Sequence, residues 1–167
     1  MVWLVITSLL VICFGFVVLR GAPYVPTHRA QLQRALSTLY PLSKRDTLLD
    51  LGSGDGIVLR MARRYGASAV GYELNPVLVL ISRLLSGRDR HVRVTMCDYT
   101  MVERLPHDVT VIYVFATSHS ISSVARKMEE WSRGRELHLI SYGFTVPGKR
   151  SVRHVGPMHL YKYVDGV

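Results

Sequence analysis

The fold is decided by TLLDLGSGDGIVLRMARRYGASAVGYE, Thr47 to Glu73. It reads as strand, glycine turn, helix and strand, ending on one carboxylate. Leu48, Leu49 and Leu51 form the short apolar run expected of a strand buried on both faces of a parallel sheet. Asp50-Leu51-Gly52-Ser53-Gly54-Asp55-Gly56 follows, and its alternating glycines allow a sharp turn with bare main chain open to a ligand. Ile57 to Tyr65 has helical spacing, with Ile57 or Val58, Met61 and Tyr65 on one side and Arg60, Arg63 and Arg64 more exposed. A helix starting there points N–H groups over the glycines. Ala69 to Tyr72 is the second strand, and Glu73 falls at its carboxyl end, where open α/β sheets bind ligands.

A carboxylate in that position can accept both hydroxyls of a ribose, so the expected ligand carries a nucleoside. The dinucleotide fingerprint G-x-G-x-x-G needs a third glycine at residue 57, which is Ile. The pattern present, D-x-G-x-G-x-G, resembles motif I of the class I S-adenosylmethionine-dependent methyltransferases. In these a methionine tail, not a pyrophosphate, lies over the turn. A tight strand–helix turn with no ligand is the plainer alternative.

The chain has 167 residues, enough for one domain with a core. Its formal net charge is +9, from 21 Lys and Arg against 12 Asp and Glu. Two cysteines, Cys13 and Cys97, lack plausible partners, so no disulfide framework is implied and a reducing compartment fits. No C-x-x-C or His/Cys cluster suggests a metal. The basic charge suits an anionic leaflet; nucleic acid is not expected, because aromatic residues are not interleaved with the arginines.

Three domains are expected: an anchor over 1–20, a linker and helix over 21–46, and a methyltransferase domain over 47–167. Val2 to Leu19 carries no charge, and as a helix would span about 27 Å at 1.5 Å per residue, enough for a bilayer core. Against a cleaved signal peptide, no Lys or Arg precedes the apolar run, and Val18-Leu19-Arg20 is not a small-residue cleavage site. Arg20, His28, Arg29 and Arg34 follow, so the positive-inside rule puts the rest of the chain on the cytoplasmic side of a single-pass anchor. Trp3 and Tyr24 are placed as interfacial anchors. Pro23 and Pro26 keep the next segment extended. It is either a spacer or a flap bringing Tyr24 and Thr27 to the methionine end of the cofactor. Thr27 can also cap a helix over His28 to Tyr40, with Leu32, Leu36 and Leu39 on one face.

After Glu73, Asn75-Pro76 starts a helix, and Val77 to Ser86 is apolar nearly all round, which predicts burial against the sheet or against something else, such as lipid. Val92 to Met96 is the third strand. Asp98 beyond it either accepts the adenine amino group, with Tyr99 stacking, or caps a turn. Val109 to Phe115 is the fourth strand. The Ala116-Thr117-Ser118-His119-Ser120 segment after it should lie over the transferable methyl. It lacks the Asn- or Asp-Pro-Pro-aromatic motif of adenine and glutamine methylation, and no Pro-Cys pair suits pyrimidine carbons. Ile121 to Arg133 is a helix with Val124, Met128 and Trp131 inward, Glu136 to Tyr142 a fifth strand, and Ser151 to Tyr163 a terminal hairpin. The alternation predicts a Rossmann-like seven-stranded class I methyltransferase sheet with helices on both faces, preceded by one transmembrane helix.

An apolar anchor, Pro23-Tyr24-Val25-Pro26-Thr27, the glycine turn and Val70-Gly71-Tyr72-Glu73-Leu74-Asn75-Pro76 occur in that order. This succession resembles the small membrane-associated lysine methyltransferases of the adenine nucleotide translocase and the ATP synthase c subunit, with their bacterial relatives. The resemblance implies S-adenosylmethionine at Gly52, Gly54, Gly56 and Glu73. The full expected cofactor set adds Tyr24, Thr27, Asp50, Ser53, Asp55, Leu74, Asn75, Asp98 and Tyr99. The resemblance also implies a lysine acceptor on a membrane-associated protein. Thr117-Ser118-His119 departs from the family's proline-containing segment after strand four. Such a lysine must lose its proton, and His119 and Tyr113 are the candidates to orient or deprotonate it; capping or solvent exposure is the plainer role for His119. Two rival readings use the same features: methylation of a lipid or small hydrophobic molecule, and a non-catalytic cofactor-binding module.

Overall fold

A computed structural model describes residues 1–5, 7–8 and 29–164. Most of Val2 to Leu19, together with Tyr24 and Thr27, lies outside the described residues. Among the described residues no helix is long and apolar enough to cross a membrane.

Seven strands form one sheet in the order β3-β2-β1-β4-β5-β7-β6. They are β1 (Thr47–Leu51), β2 (Ser68–Glu73), β3 (Val92–Met96), β4 (Val111–Phe115), β5 (Leu137–Tyr142), β6 (Arg153–Val155) and β7 (Met158–Tyr163). The first five are parallel; β7 runs antiparallel between β5 and β6. The helices that pack on the sheet are α1 (Arg29–Arg34, continued by a wider π-type turn, Ala35–Leu39), α2 (Ile57–Arg64), α3 (Pro76–Ser86) and α4 (Ile121–Trp131). Strand order reverses between β1 and β4. Their connections leave toward opposite faces and open a crevice at the carboxyl ends, the place where such sheets bind ligands.

Two cores sandwich the sheet. On one face Leu32, Leu36, Leu39, Val58, Leu59 and Val79 from α1 to α3 pack on Leu48, Ala69, Val94, Val111 and Ile140. On the other, Val124, Met128 and Trp131 of α4 pack on Leu49, Val70, Ile112 and Leu139. The β3–β4 connection there has only a single 3-10 turn, Tyr99–Met101. It is held down because Trp131 Nε1 and Lys127 Nζ both donate to the Val102 carbonyl, at 3.0 and 3.2 Å. The spacing of Leu32, Leu36 and Leu39 is borne out, since all three are buried.

α3 is covered on one side only. Only Val79 and Ser82 are buried, whereas Val77, Leu80, Ile81, Leu84 and Leu85 are exposed. α3 lies over β2 and the edge strand β3, so the sheet covers one side of it and nothing described covers the other.

The entry to the sheet is tied by Asp46. Its Oδ1 accepts from Tyr40 Oη and Thr110 Oγ1, both at 2.9 Å; its Oδ2 accepts from Ser43 N at 2.9 Å and Ser43 Oγ at 2.8 Å. Burial alone would raise this carboxyl, but the bonds from Ser43, Tyr40 and Thr110 outweigh it and hold the group below its usual range. Burial, then the bond to Asp46, pushes the Tyr40 phenol up to about 12.

The glycine turn folds back over β2 because Gly71 has no side chain. A Cβ there would meet Ser53 Oγ at 2.5 Å, Leu59 Cδ1 at 2.7 Å and Ser53 Cβ at 2.8 Å. Gly71→Ala is expected to cost about 1–3 kcal/mol through overpacking, read as a fall of several degrees in thermal midpoint. Adding Ser53→Gly should recover part of that loss; equal midpoints for wild type and Gly71→Ala would contradict the packing described.

Candidate functional site

The turn after β1 is built for glycine. Gly52, Gly54 and Gly56 have φ of 78°, 54° and 81°, a region costly for residues with a Cβ. A Cβ on Gly56 would also run into Ser82 of α3, whereas one on Gly52 would meet nothing within 4 Å. Gly52 therefore presents bare backbone to the crevice. The amides of Gly52 and Ser53 donate to the Tyr72 carbonyl at 2.8 and 3.0 Å, and Gly56 N donates to the Ser53 carbonyl at 2.9 Å. These bonds shape the turn, so fewer N–H groups face a ligand than the glycine pattern alone suggests. Ser53 is buried against Gly71, with its hydroxyl beneath the turn.

Glu73 stands at the end of β2. Its Oε2 accepts from Gly54 N and its Oε1 from Asn75 N, both at 2.8 Å. Each carboxylate oxygen has a second lone pair, so both can still accept a hydroxyl from a sugar diol. The side chain is thereby held in one orientation. Asn75 also accepts from Val77 N at 2.9 Å, capping α3. Leu74 is half-buried beside it. Asp55 accepts from Ile57 N at 3.1 Å and pairs with Arg60 at 3.1 Å, so it caps α2 as well as bordering the turn.

Asp50 is buried on β1. Burial, then the nearby charges of Glu73 and Asp55, hold its carboxyl well above the usual carboxylate range. Asp55 is offset by Arg60, so Glu73 and the buried, charge-disfavoured Asp50 are left beside the turn, and both are relieved by a cation. A ligand bearing ammonium and sulfonium charges fits this set; a pyrophosphate does not.

Across the crevice, Asp98 caps the turn after β3 through bonds from Thr100 N (2.9 Å) and Thr100 Oγ1 (2.6 Å) to Oδ1. Tyr99 beside it is half-buried, its phenol pushed up by burial and then by Asp98. Tyr113 lies opposite Asp50 in the β1–β4 register and is buried, 1% exposed, so a bulky acceptor has no direct access to it. His119 is exposed on the loop that follows β4. That loop is closed by Thr117 and Ser120: Thr117 N donates to Ser120 Oγ at 2.8 Å and Ser120 N to Thr117 Oγ1 at 3.2 Å.

One feature of the site is not apparent in the sequence. Phe115 and Tyr142 end β4 and β5 in register, with ring centroids 4.7 Å apart. Tyr142 Oη donates to Gln31 Oε1 of α1 at 2.6 Å. Two aromatic residues closing adjacent parallel strands are the available signal, but pairing them requires the register.

The family model described as the ANTKMT methyltransferase domain matches residues 50–153. The ATP synthase c-subunit lysine N-methyltransferase of Caenorhabditis elegans is 37% identical over 133 residues, 75% of this chain and 68% of the relative. The protein of the same name from Xenopus laevis is 37% identical over 94 residues, 54% of this chain; the match spans 41% of that relative, less than half its length. Among solved structures, an RNA methyltransferase from Salinibacter ruber in complex with S-adenosyl-L-homocysteine has a TM-score of 0.71 at 26% identity, covering 86% of this chain and 95% of that one. The chain belongs to the ANTKMT methyltransferase domain family and has the fold of the S-adenosylmethionine-dependent methyltransferases.

Proposed function

We propose that this chain transfers a methyl group from S-adenosylmethionine to a lysine amine of a membrane-associated protein, of the kind named for its relatives, the ATP synthase c subunit. The observation that carries this reading is the three-carboxylate glycine turn beside the Phe115–Tyr142 pair. Gly52 and Asp50 would meet the methionine end, and Glu73 the ribose. Asp98 and Tyr99 border the adenine end. The bound cofactor supplies a methyl on positive sulfur, an electrophile needing only an aligned lone pair.

The chain's own residues supply the alignment. The faces of Phe115 and Tyr142 attract a lysine ammonium into the crevice by cation–π interaction. A free lysine has a pKa of about 10.4, and desolvation in a partly apolar mouth beside these rings would lower it. His119, exposed on the loop after β4, would take the proton. Holding the neutral amine in line supplies several kcal/mol of the barrier by orientation alone. Val2 to Leu19 would tether the domain to the bilayer in which the acceptor sits, with the catalytic domain on the cytoplasmic side.

Incubation with methyl-labelled S-adenosylmethionine and membranes is expected to place label in protein, and specifically on lysine. Label in the organic phase, in RNA or nowhere would replace this reading by a lipid methyltransferase, an RNA methyltransferase or a non-catalytic binder. Glu73→Gln should weaken cofactor binding about 10- to 100-fold, the equivalent of losing a hydrogen bond to a charged group at ~1.5–3 kcal/mol, as read by calorimetry.

Binding should also release a proton. Asp50 has a raised pKa without ligand, and an adjacent cation favours its ionised form, so the pKa falls on binding. Affinity for the cofactor therefore weakens as pH drops below the raised value. Titrations in buffers of different ionisation heat should show that release, and Asp50→Asn should abolish it.

A further inference from the structure

α1, α2 and α3 lie on one face of the sheet and α4 on the other. The sequences of the first three, RAQLQR, IVLRMARR and PVLVLISRLLS, contain six arginines and no carboxylate. α4, ISSVARKMEEW, has two basic and two acidic residues. Charge is thus segregated by face. On the arginine-rich face, α3 exposes a stripe at helical spacing: Val77 (42% exposed), Leu80 (58%), Ile81 (37%), Leu84 (71%) and Leu85 (55%). Arg88 and Arg90 follow directly, are exposed and form no ion pair among the described residues. The one acid between them, Asp89, is held by Arg63 at 2.7 Å.

An apolar stripe bounded by unneutralised arginines matches an anionic bilayer surface: the leucines enter the acyl boundary while the guanidinium groups meet the headgroups. α1, the first element after the uncharged stretch Val2–Leu19 and the linker in the sequence, packs on this same face. We infer that the outer stripe of α3, with Arg88 and Arg90, rests on an anionic lipid surface. This contact is additional to the tether proposed for Val2 to Leu19 and can fail without it. α3 starts at the carboxyl edge of the sheet, next to Glu73, and exposed Met96 ends β3 at that edge. Laying α3 on lipid therefore brings the crevice down to the bilayer surface.

The test uses the full chain with Cys13 and Cys97 replaced by Ser and one environment-sensitive fluorophore, attached at Leu84→Cys or, as control, at Arg126→Cys on α4. Vesicles contain equal parts of phosphatidylcholine and phosphatidylglycerol, with brominated acyl chains as quencher. The expected result is blue-shifted, bromine-quenched emission at residue 84 and aqueous emission at residue 126. The shift should shrink when phosphatidylglycerol is omitted or when Arg88 and Arg90 are both changed to Gln. Co-sedimentation with aqueous emission at residue 84 overturns the α3 contact and leaves the tether standing. Absence of co-sedimentation overturns both. A lipid-independent shift that grows with protein concentration assigns the stripe to a second copy of the chain and overturns the lipid contact.

Discussion

The site depends on two hydrogen bonds to one carboxylate. Glu73 receives the Gly54 amide from the turn after β1 and the Asn75 amide from the start of α3. Two strand-to-helix connections with no covalent reason to share a geometry are clamped to one side chain. Main-chain donors to an ionised acceptor form strong bonds, and they fix a carboxylate that would otherwise sample several rotamers. The ligand-binding group is oriented in advance by the backbone it helps to shape, which is the form of preorganisation that lowers the entropic cost of binding.

That clamp has steric preconditions spread along the sequence. Gly71 leaves room for Ser53 to sit over β2, and Gly56 leaves room for Ser82 of α3. Both glycines serve close packing. Asp55 and Asn75 likewise cap helices while bordering the crevice. In a chain this small, the residues nearest the ligand also close the structure.

Much of this was legible because it is local. The strand, glycine turn, helix and terminal carboxylate of Thr47 to Glu73 follow from spacing and turn chemistry, and the structure keeps them in place. The capping alternative for Asp98 was also readable, since an Asp before Tyr-Thr has few other local bonds to make. What stayed hidden depends on assembly. Burial of Tyr113 follows from its seat in a central strand, and the Phe115–Tyr142 pair from the register of β4 on β5. The exposure of α3 could not be read from its composition, because an apolar helix looks the same whether a sheet covers one side of it or two sides are covered. Gly71, quoted within a motif, gave no sign that Ser53 would lie on it.

The Asp46 knot has a mechanical consequence. Any pull transmitted from residues upstream of Arg29 arrives at α1, and α1 is joined to β1 and β4 through Tyr40, Ser43 and Thr110 converging on one carboxylate. Bonds loaded side by side share a force that would break them one at a time in series. The knot lies after α1, so a pull that peels α1 away stops at Asp46, and the entry to the sheet stays closed.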